Sequence, residues 1–184
     1  DAQPARLREV DGIGPGRAAQ VVEAWSGQKV IRDIMVFLYA HGVGTSRAVR
    51  IYKTYGADAI AIVTENPYRL ARDIRGIGFL TADALARKLG IEATSPMRAR
   101  AGVTYALMQA IDEGQCGLPR DELLALAEKL LAIPTAIIED ALEAELREAT
   151  VVADQSGGRD CIFLAWLHTM ERQIAESLRA LAAG

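Results

Sequence analysis

Two glycines flanking one β-branched apolar residue occur three times in the first eighty positions, and the residues that follow keep step. The turns are Gly12-Ile13-Gly14, Gly42-Val43-Gly44 and Gly76-Ile77-Gly78, with starts 30 and 34 residues apart. Four positions after each second glycine stands an alanine, at Ala18, Ala48 and Ala82; further on come Val21, Ile51 and Leu85, then Trp25, Tyr55 and Leu89. That spacing predicts one buried helix face after each turn. Helical patterns also precede the second and third turns, over 31–40 and 67–74, the latter opened by Asn66 as N-cap and Pro67 at the first helical position. Before the first turn only a short helix, 5–10, is expected, and 57–65 reads as a linking helix. The repeating unit is therefore helix, tight turn, helix. Units this short cannot bury their apolar faces alone and must pack on each other.

Such turns have a use beyond connecting helices. Glycine tolerates positive φ and lets the backbone approach a partner closely. The helix that follows presents unpaired N–H groups and the positive end of its dipole, which suits a phosphate oxygen. The candidate contact residues are Gly12, Gly14, Gly16 and Arg17 in the first unit, and Gly42, Gly44, Thr45, Ser46, Arg47 and Arg50 in the second. Gly76, Gly78 and Thr81 are those of the third. Groups of this kind position a nucleic acid strand without reading its sequence. The alternative is that the turns are plain connectors with glycine C-caps. This alternative weighs most on the third unit, where Phe79 and Leu80 replace Thr45 and Ser46, and Thr81 replaces an arginine. That turn faces the core or a neighbouring domain, or else Phe79 stacks on a base. His41, just before the second turn, has either a capping or surface role or a phosphate contact.

The three turns resemble the helix-hairpin-helix motif, written hydrophobic-x-Gly-hydrophobic-Gly followed three residues later by x-Ala. A longer resemblance runs through residues 36–56, then 65–70 and 74–79, and extends from about residue 5 to beyond residue 120. These stretches look like the N-terminal region of RecD-like helicases of the TraA type, or exodeoxyribonuclease V α-subunit-like proteins. The resemblance implies an ATP-dependent superfamily 1 enzyme moving 5′ to 3′ on single-stranded DNA, in DNA repair or recombination. It also implies DNA as partner, single-stranded or at a junction, together with the motor domain of the same chain. ATP and Mg belong to that motor, and no cofactor is expected in these 184 residues.

Charge divides the chain. Residues 1–100 hold 15 Lys and Arg against 10 Asp and Glu, and residues 101–184 hold 6 against 14. A basic first half favours phosphate binding; the acidic second half argues against it. In that second half helices are expected over 97–113, 120–131 and 135–148, with Ser95 as N-cap and Pro96 at N1. A β-hairpin then turns at Gly157-Gly158, between 150–154 and 161–164. Three helices and a hairpin are the order of a winged helix, expected here to pack between hairpins and motor. The fold class is thus mainly α: tandem helix-hairpin-helix units over 1–94, a winged-helix-like module over 95–165, and a helix over 166–184 leading into a motor domain.

Catalytic signals are lacking. None of Lys29, Lys53, Lys88 or Lys129 follows a glycine, so no GxxxxGK[ST] loop exists. The segment after Leu89 lacks the aspartate that a hairpin glycosylase would need, and Cys116 and Cys161 form no CxxC. No catalytic residue and no metal site is expected. The absence of an initiating methionine and a final helical pattern predict a segment of a longer protein; the two cysteines, with no disulfide framework, predict a reducing cytoplasm, and the lack of an apolar run of about 20 residues predicts no membrane partner.

Overall fold

A computed structural model describes residues 14–183, so the expected helix over 5–10 and the Gly12-Ile13 half of the first turn lie outside the described residues. The described chain is mainly α with one small sheet, in two compact units that meet in sequence at Gly78 and Phe79.

In the first unit α1 (Pro15–Ala40), α2 (Thr45–Tyr55), a 3-10 turn (Gly56–Asp58), α3 (Ala59–Glu65) and α4 (Arg69–Asp73) follow one another. The core gathers Ile34 and Leu38 of α1, Val43, Ala48 and Ile51, Ala59 and Val63, and Tyr68, Leu70, Ile74 and Ile77. Burying the Ile, Leu and Val side chains among them contributes roughly 1.5–3 kcal/mol each. Asn66 caps as its sequence position foretells: its side-chain oxygen accepts the Tyr68 N–H at 3.0 Å, although the regular helix starts only at Arg69.

Two readings of the repeat change. The second helix of the first unit and the first helix of the second unit are one uninterrupted helix, α1, of 26 residues. The buried face expected after the first turn also fails to continue. Ala18 is buried like Ala48 and Ala82, but Val21 and Trp25 are 45% and 62% exposed, whereas Ile51 and Leu85 are buried.

The second unit comprises α5 (Phe79–Lys88), α6 (Pro96–Asp112), β1 (Gly117–Pro119), α7 (Arg120–Leu131), α8 (Thr135–Arg147), β2 (Val151–Ser156), β3 (Arg159–Leu164) and α9 (Ala165–Ala183). The sheet has the order β1-β3-β2, all antiparallel, with Val151 opposite Leu164 and Leu118 opposite Ile162. Gly157 and Gly158, at φ +59° and +78°, form the tight hairpin turn, where two successive positive φ values match the twist of the strands. Helix, strand, helix, helix and hairpin make the winged-helix-like module. Its core is Val103, Ala106 and Leu107 of α6 with Leu123, Ala127, Ile138, Leu142 and Ile162. Gly102 lets α7 close on α6, since a Cβ there would sit 2.4 Å from a Leu131 methyl.

A buried ion pair binds α5 to this module. Arg98, 2% exposed, donates from Nε to Asp83 at 2.7 Å and from Nη2 at 3.2 Å. Its Nη1 donates to the carbonyls of Ala93 and Leu131 at 2.9 and 3.0 Å. Each polar atom of the guanidinium is thereby satisfied, the condition under which a buried charge is tolerated.

Candidate nucleic-acid interface

The second turn shows how the two glycines divide their labour. At the end of α1 the Val43 N–H reaches back to the Leu38 carbonyl and the Gly42 N–H to that of Tyr39, both at 2.9 Å. Gly42 has φ +80°. This is a Schellman C-cap, with buried Val43 and Leu38 supplying its apolar contact. The first glycine is needed for its left-handed backbone, and the C-cap explains it fully. Gly44 is different. It is the N-cap of α2 in extended backbone (φ −69°, ψ 160°), and a Cβ built on it meets nothing within 4 Å. The fold therefore leaves room for a side chain there, and the emptiness faces outward.

Around that space lie the donors. The N–H groups of Gly44, Thr45 and Ser46 have no backbone acceptor among the described residues, as expected for the first turn of a helix. Thr45 and Ser46 are exposed, and so is Arg47, which forms no ion pair among the described residues. The Tyr39 hydroxyl is hydrogen-bonded to the Thr45 hydroxyl, bringing an exposed aromatic ring to the rim of the turn. His41 is a cap: its Nδ1 lies 2.7 Å from the Phe37 carbonyl, which can only accept, so Nδ1 carries the proton.

The first turn repeats this geometry at its described end. Gly14 is the N-cap of α1 at φ −75° and ψ 171°, with open space where a Cβ would be, and the Ala18 N–H bonds its carbonyl at 3.0 Å, as Ala48 bonds Gly44 at 3.0 Å. Gly16 and Arg17 are exposed on the first turn of α1. Gly12 lies outside the described residues.

At the third turn Gly76 has φ +84°, and the Ile77 N–H bonds the Ile74 carbonyl at 3.0 Å. Gly78, like Gly44, has open space at its Cβ position. Of the two readings left open for Phe79, the structure takes the core: Phe79 is buried and stacks on Tyr105 with ring centroids 4.6 Å apart. Leu80, in contrast, is 67% exposed, and Thr81 is half-buried.

The structure brings the second and third turns together through Arg50. Its Nη1 donates to the Arg75 carbonyl at 2.9 Å and its Nε to the Ser46 carbonyl at 3.4 Å. Arg75 itself is exposed, and the sequence reading overlooked it although it holds the place before the third turn that His41 holds before the second. Other cations nearby are engaged elsewhere. Arg69 and Arg72 pair with Asp73, which also accepts from the Tyr55 hydroxyl at 2.9 Å. Burial alone would raise the Asp73 carboxyl, but the hydrogen bonds from Arg72 and Tyr55 outweigh it and hold the group below the usual carboxylate range. Burial and the same carboxylate push Tyr55 up to about 12.

The turns differ in context and sequence from a phosphate loop for ATP. A phosphate loop for ATP follows a strand and ends in lysine and Ser or Thr. Here the second turn follows α1, and Gly44 leads into Thr45-Ser46-Arg47. Among the described residues no cluster of His, Cys, Asp and Glu could hold a metal ion, and no helix is long and apolar enough to cross a membrane.

The chain is 28% identical to the ATP-dependent RecD2 DNA helicase of Deinococcus radiodurans over 98% of its own length. It spans about a quarter of that curated relative, 26%. Residues 27–117 match the family described as the ATP-dependent RecD2 DNA helicase HHH domain, a span that takes in the second and third turns and leaves out the first. Residues 27–117, with the second and third turns, are accordingly similar to the helix-hairpin-helix region of RecD-like helicases.

Proposed function

We propose that this region is a non-catalytic DNA-binding element of an ATP-dependent 5′ to 3′ helicase, gripping the sugar-phosphate backbone of a single strand or junction through its hairpin turns. One observation carries the reading: Gly44 is glycine where the fold has space for a side chain, directly beside unpaired N–H groups and the exposed Arg47. A partner pressed against the backbone accounts for that space, and a phosphate is the partner that helix-start amides and an arginine favour. ATP and its Mg would then be held by a separate motor. The test is binding of labelled single-stranded and duplex DNA at several salt concentrations, with Arg17→Ala and Arg47→Ala combined. Steep salt dependence that the double variant weakens is expected; no binding at low salt, or indifference to the variant, sinks the reading.

A second reading, docking on the helicase motor, is favoured by α9. Trp166, Met170, Ile174, Leu178 and Leu181 recur at helical spacing along it, and all are at least half exposed. An apolar row of that length marks an interaction surface. It is compatible with DNA contact by the hairpins, and Ile174→Glu is expected to weaken cross-linking to the motor while sparing DNA binding.

A further inference from the structure

We propose that Arg50 is a positioning residue: it clasps the third turn to the second, fixing the interval at which the two turns can meet one strand. The proposal rests on the DNA-contact reading above and adds a role that a direct phosphate contact does not include. Three observations support it. The guanidinium spans two carbonyls from different hairpins, with Nη1 on Arg75 at 2.9 Å and Nε on Ser46 at 3.4 Å, across 25 residues of sequence. It lies against the third turn, Nη1 foremost: a Cβ on Gly76 would fall 2.7 Å from Nη1, so the glycine makes room for the arginine as well as supplying φ +84°. No carboxylate pairs with Arg50 among the described residues, so its hydrogen bonds to backbone are what orient it.

A planar fork is suited to this work. Two donors held rigidly in one plane fix two acceptors relative to each other, which a single ammonium on a flexible stem does not. By occupying the Arg75 carbonyl, Arg50 also withdraws a partial negative charge from the surface beside the turns, and its own donors are committed to the protein. The consequence is a division among the arginines of the second hairpin. Arg47 offers its guanidinium to a phosphate, and Arg50 spends its donors on the protein.

Salt dependence and amide exchange together separate the clasp from a direct contact. For Arg50→Ala we expect the Ile77 amide, bonded to the Ile74 carbonyl, to exchange about fivefold faster, the loss of one hydrogen bond's worth of local stability. DNA affinity should fall by a comparable factor, with the slope of log affinity against log salt unchanged. Arg47→Ala should instead lower that slope by about 0.7–0.9, the loss of one phosphate contact, and leave exchange as it was. Arg50→Lys keeps the charge without the fork and should exchange as fast as Arg50→Ala. Melting curves of each variant confirm that the fold persists. Unchanged exchange in Arg50→Ala, a slope reduced as in Arg47→Ala, or full affinity in Arg50→Lys despite fast exchange would each overturn the clasp. If the parent chain bound no DNA, the proposed function would fall, while exchange would still decide whether Arg50 holds the third turn.

Discussion

Gly44→Ser separates what the second turn needs for folding from what it needs for DNA. Serine is among the best N-cap residues, and Gly44 already sits at an N-cap with φ −69° and ψ 160°, backbone that any residue adopts. The new Cβ meets no protein atom within 4 Å. In the free protein the substitution should therefore be neutral or stabilising by a few tenths of a kcal/mol, because the serine oxygen can accept a first-turn N–H. On DNA the effect reverses. The same oxygen takes a donor away from the phosphate, and the Cβ fills the approach to the backbone. Losing one hydrogen bond to a charged acceptor costs about 1.5–3 kcal/mol, or roughly ten- to hundredfold in affinity. Thermal melting and fluorescence anisotropy with a labelled oligonucleotide at fixed salt read the two halves. Gly42→Ala is the contrast. At φ +80° it should cost about 1–2 kcal/mol of stability by backbone strain, whatever the DNA does. A Gly44→Ser protein that melts like the parent and binds DNA equally well would refute the reasoning, since the open space would then serve no partner.

The other predictions concern the protein alone. Gly76→Ala combines positive φ with a clash against Arg50, so it should lose about 1–2 kcal/mol in denaturant unfolding, and Arg50→Ala should relieve only the steric part. Arg98→Met leaves buried Asp83 without its bidentate partner, with only the more exposed Arg87 guanidinium still 3.0 Å away, and should cost up to about 3–5 kcal/mol, much of it recovered when Asp83 is replaced by leucine as well; a neutral single variant would contradict the account. Asp73, held low by Arg72 and Tyr55 against the effect of burial, should contribute stability above the usual carboxylate range that is lost as pH falls through its depressed value; Tyr55→Phe should move its NMR titration upward. Tyr55 works in the opposite direction. Its raised value means that the contribution is intact below pH 10 and fades as pH approaches about 12, which ultraviolet titration of the phenol can follow.

Much of the fold can be read from local signals. The helices α7 and α8, the glycine hairpin and the N-terminal Ser95-Pro96 of α6 sit where capping residues and periodicity place them. Elsewhere the repeat itself misled. Treating each glycine turn as the centre of a unit separates a helix ending near residue 25 from one beginning at residue 31, yet α1 runs through both, because the one helical glycine between them, Gly27, costs only about 1 kcal/mol. Trp25 then emerges exposed although its counterparts Tyr55 and Leu89 are at least half-buried. Strand β1 was invisible: three residues, Gly117-Leu118-Pro119, have no period, and only pairing with β3 makes them a strand. The charge count also included what the structure hides. Arg98 adds to the basic first half but is buried on Asp83, and Arg69 and Arg72 are held by Asp73. For the candidate interface, the sequence shows the turns and their arginines. It does not show that Gly42 ends one helix while Gly44 begins another, or that Arg50 reaches across to Arg75, since both depend on contacts between hairpins.

The continuity of α1 sets a length scale. With 26 residues rising 1.5 Å each, its two ends lie ~39 Å apart. The Gly14 amides and the Gly44 amides are thus mounted near opposite tips of one rigid rod, too far apart to share a phosphate. Along duplex DNA that interval corresponds to about eleven base pairs at 3.4 Å per step, close to one helical turn. A strand touched at both tips would be gauged by the rod, and lengthening α1 by a few residues would change the interval without altering either turn.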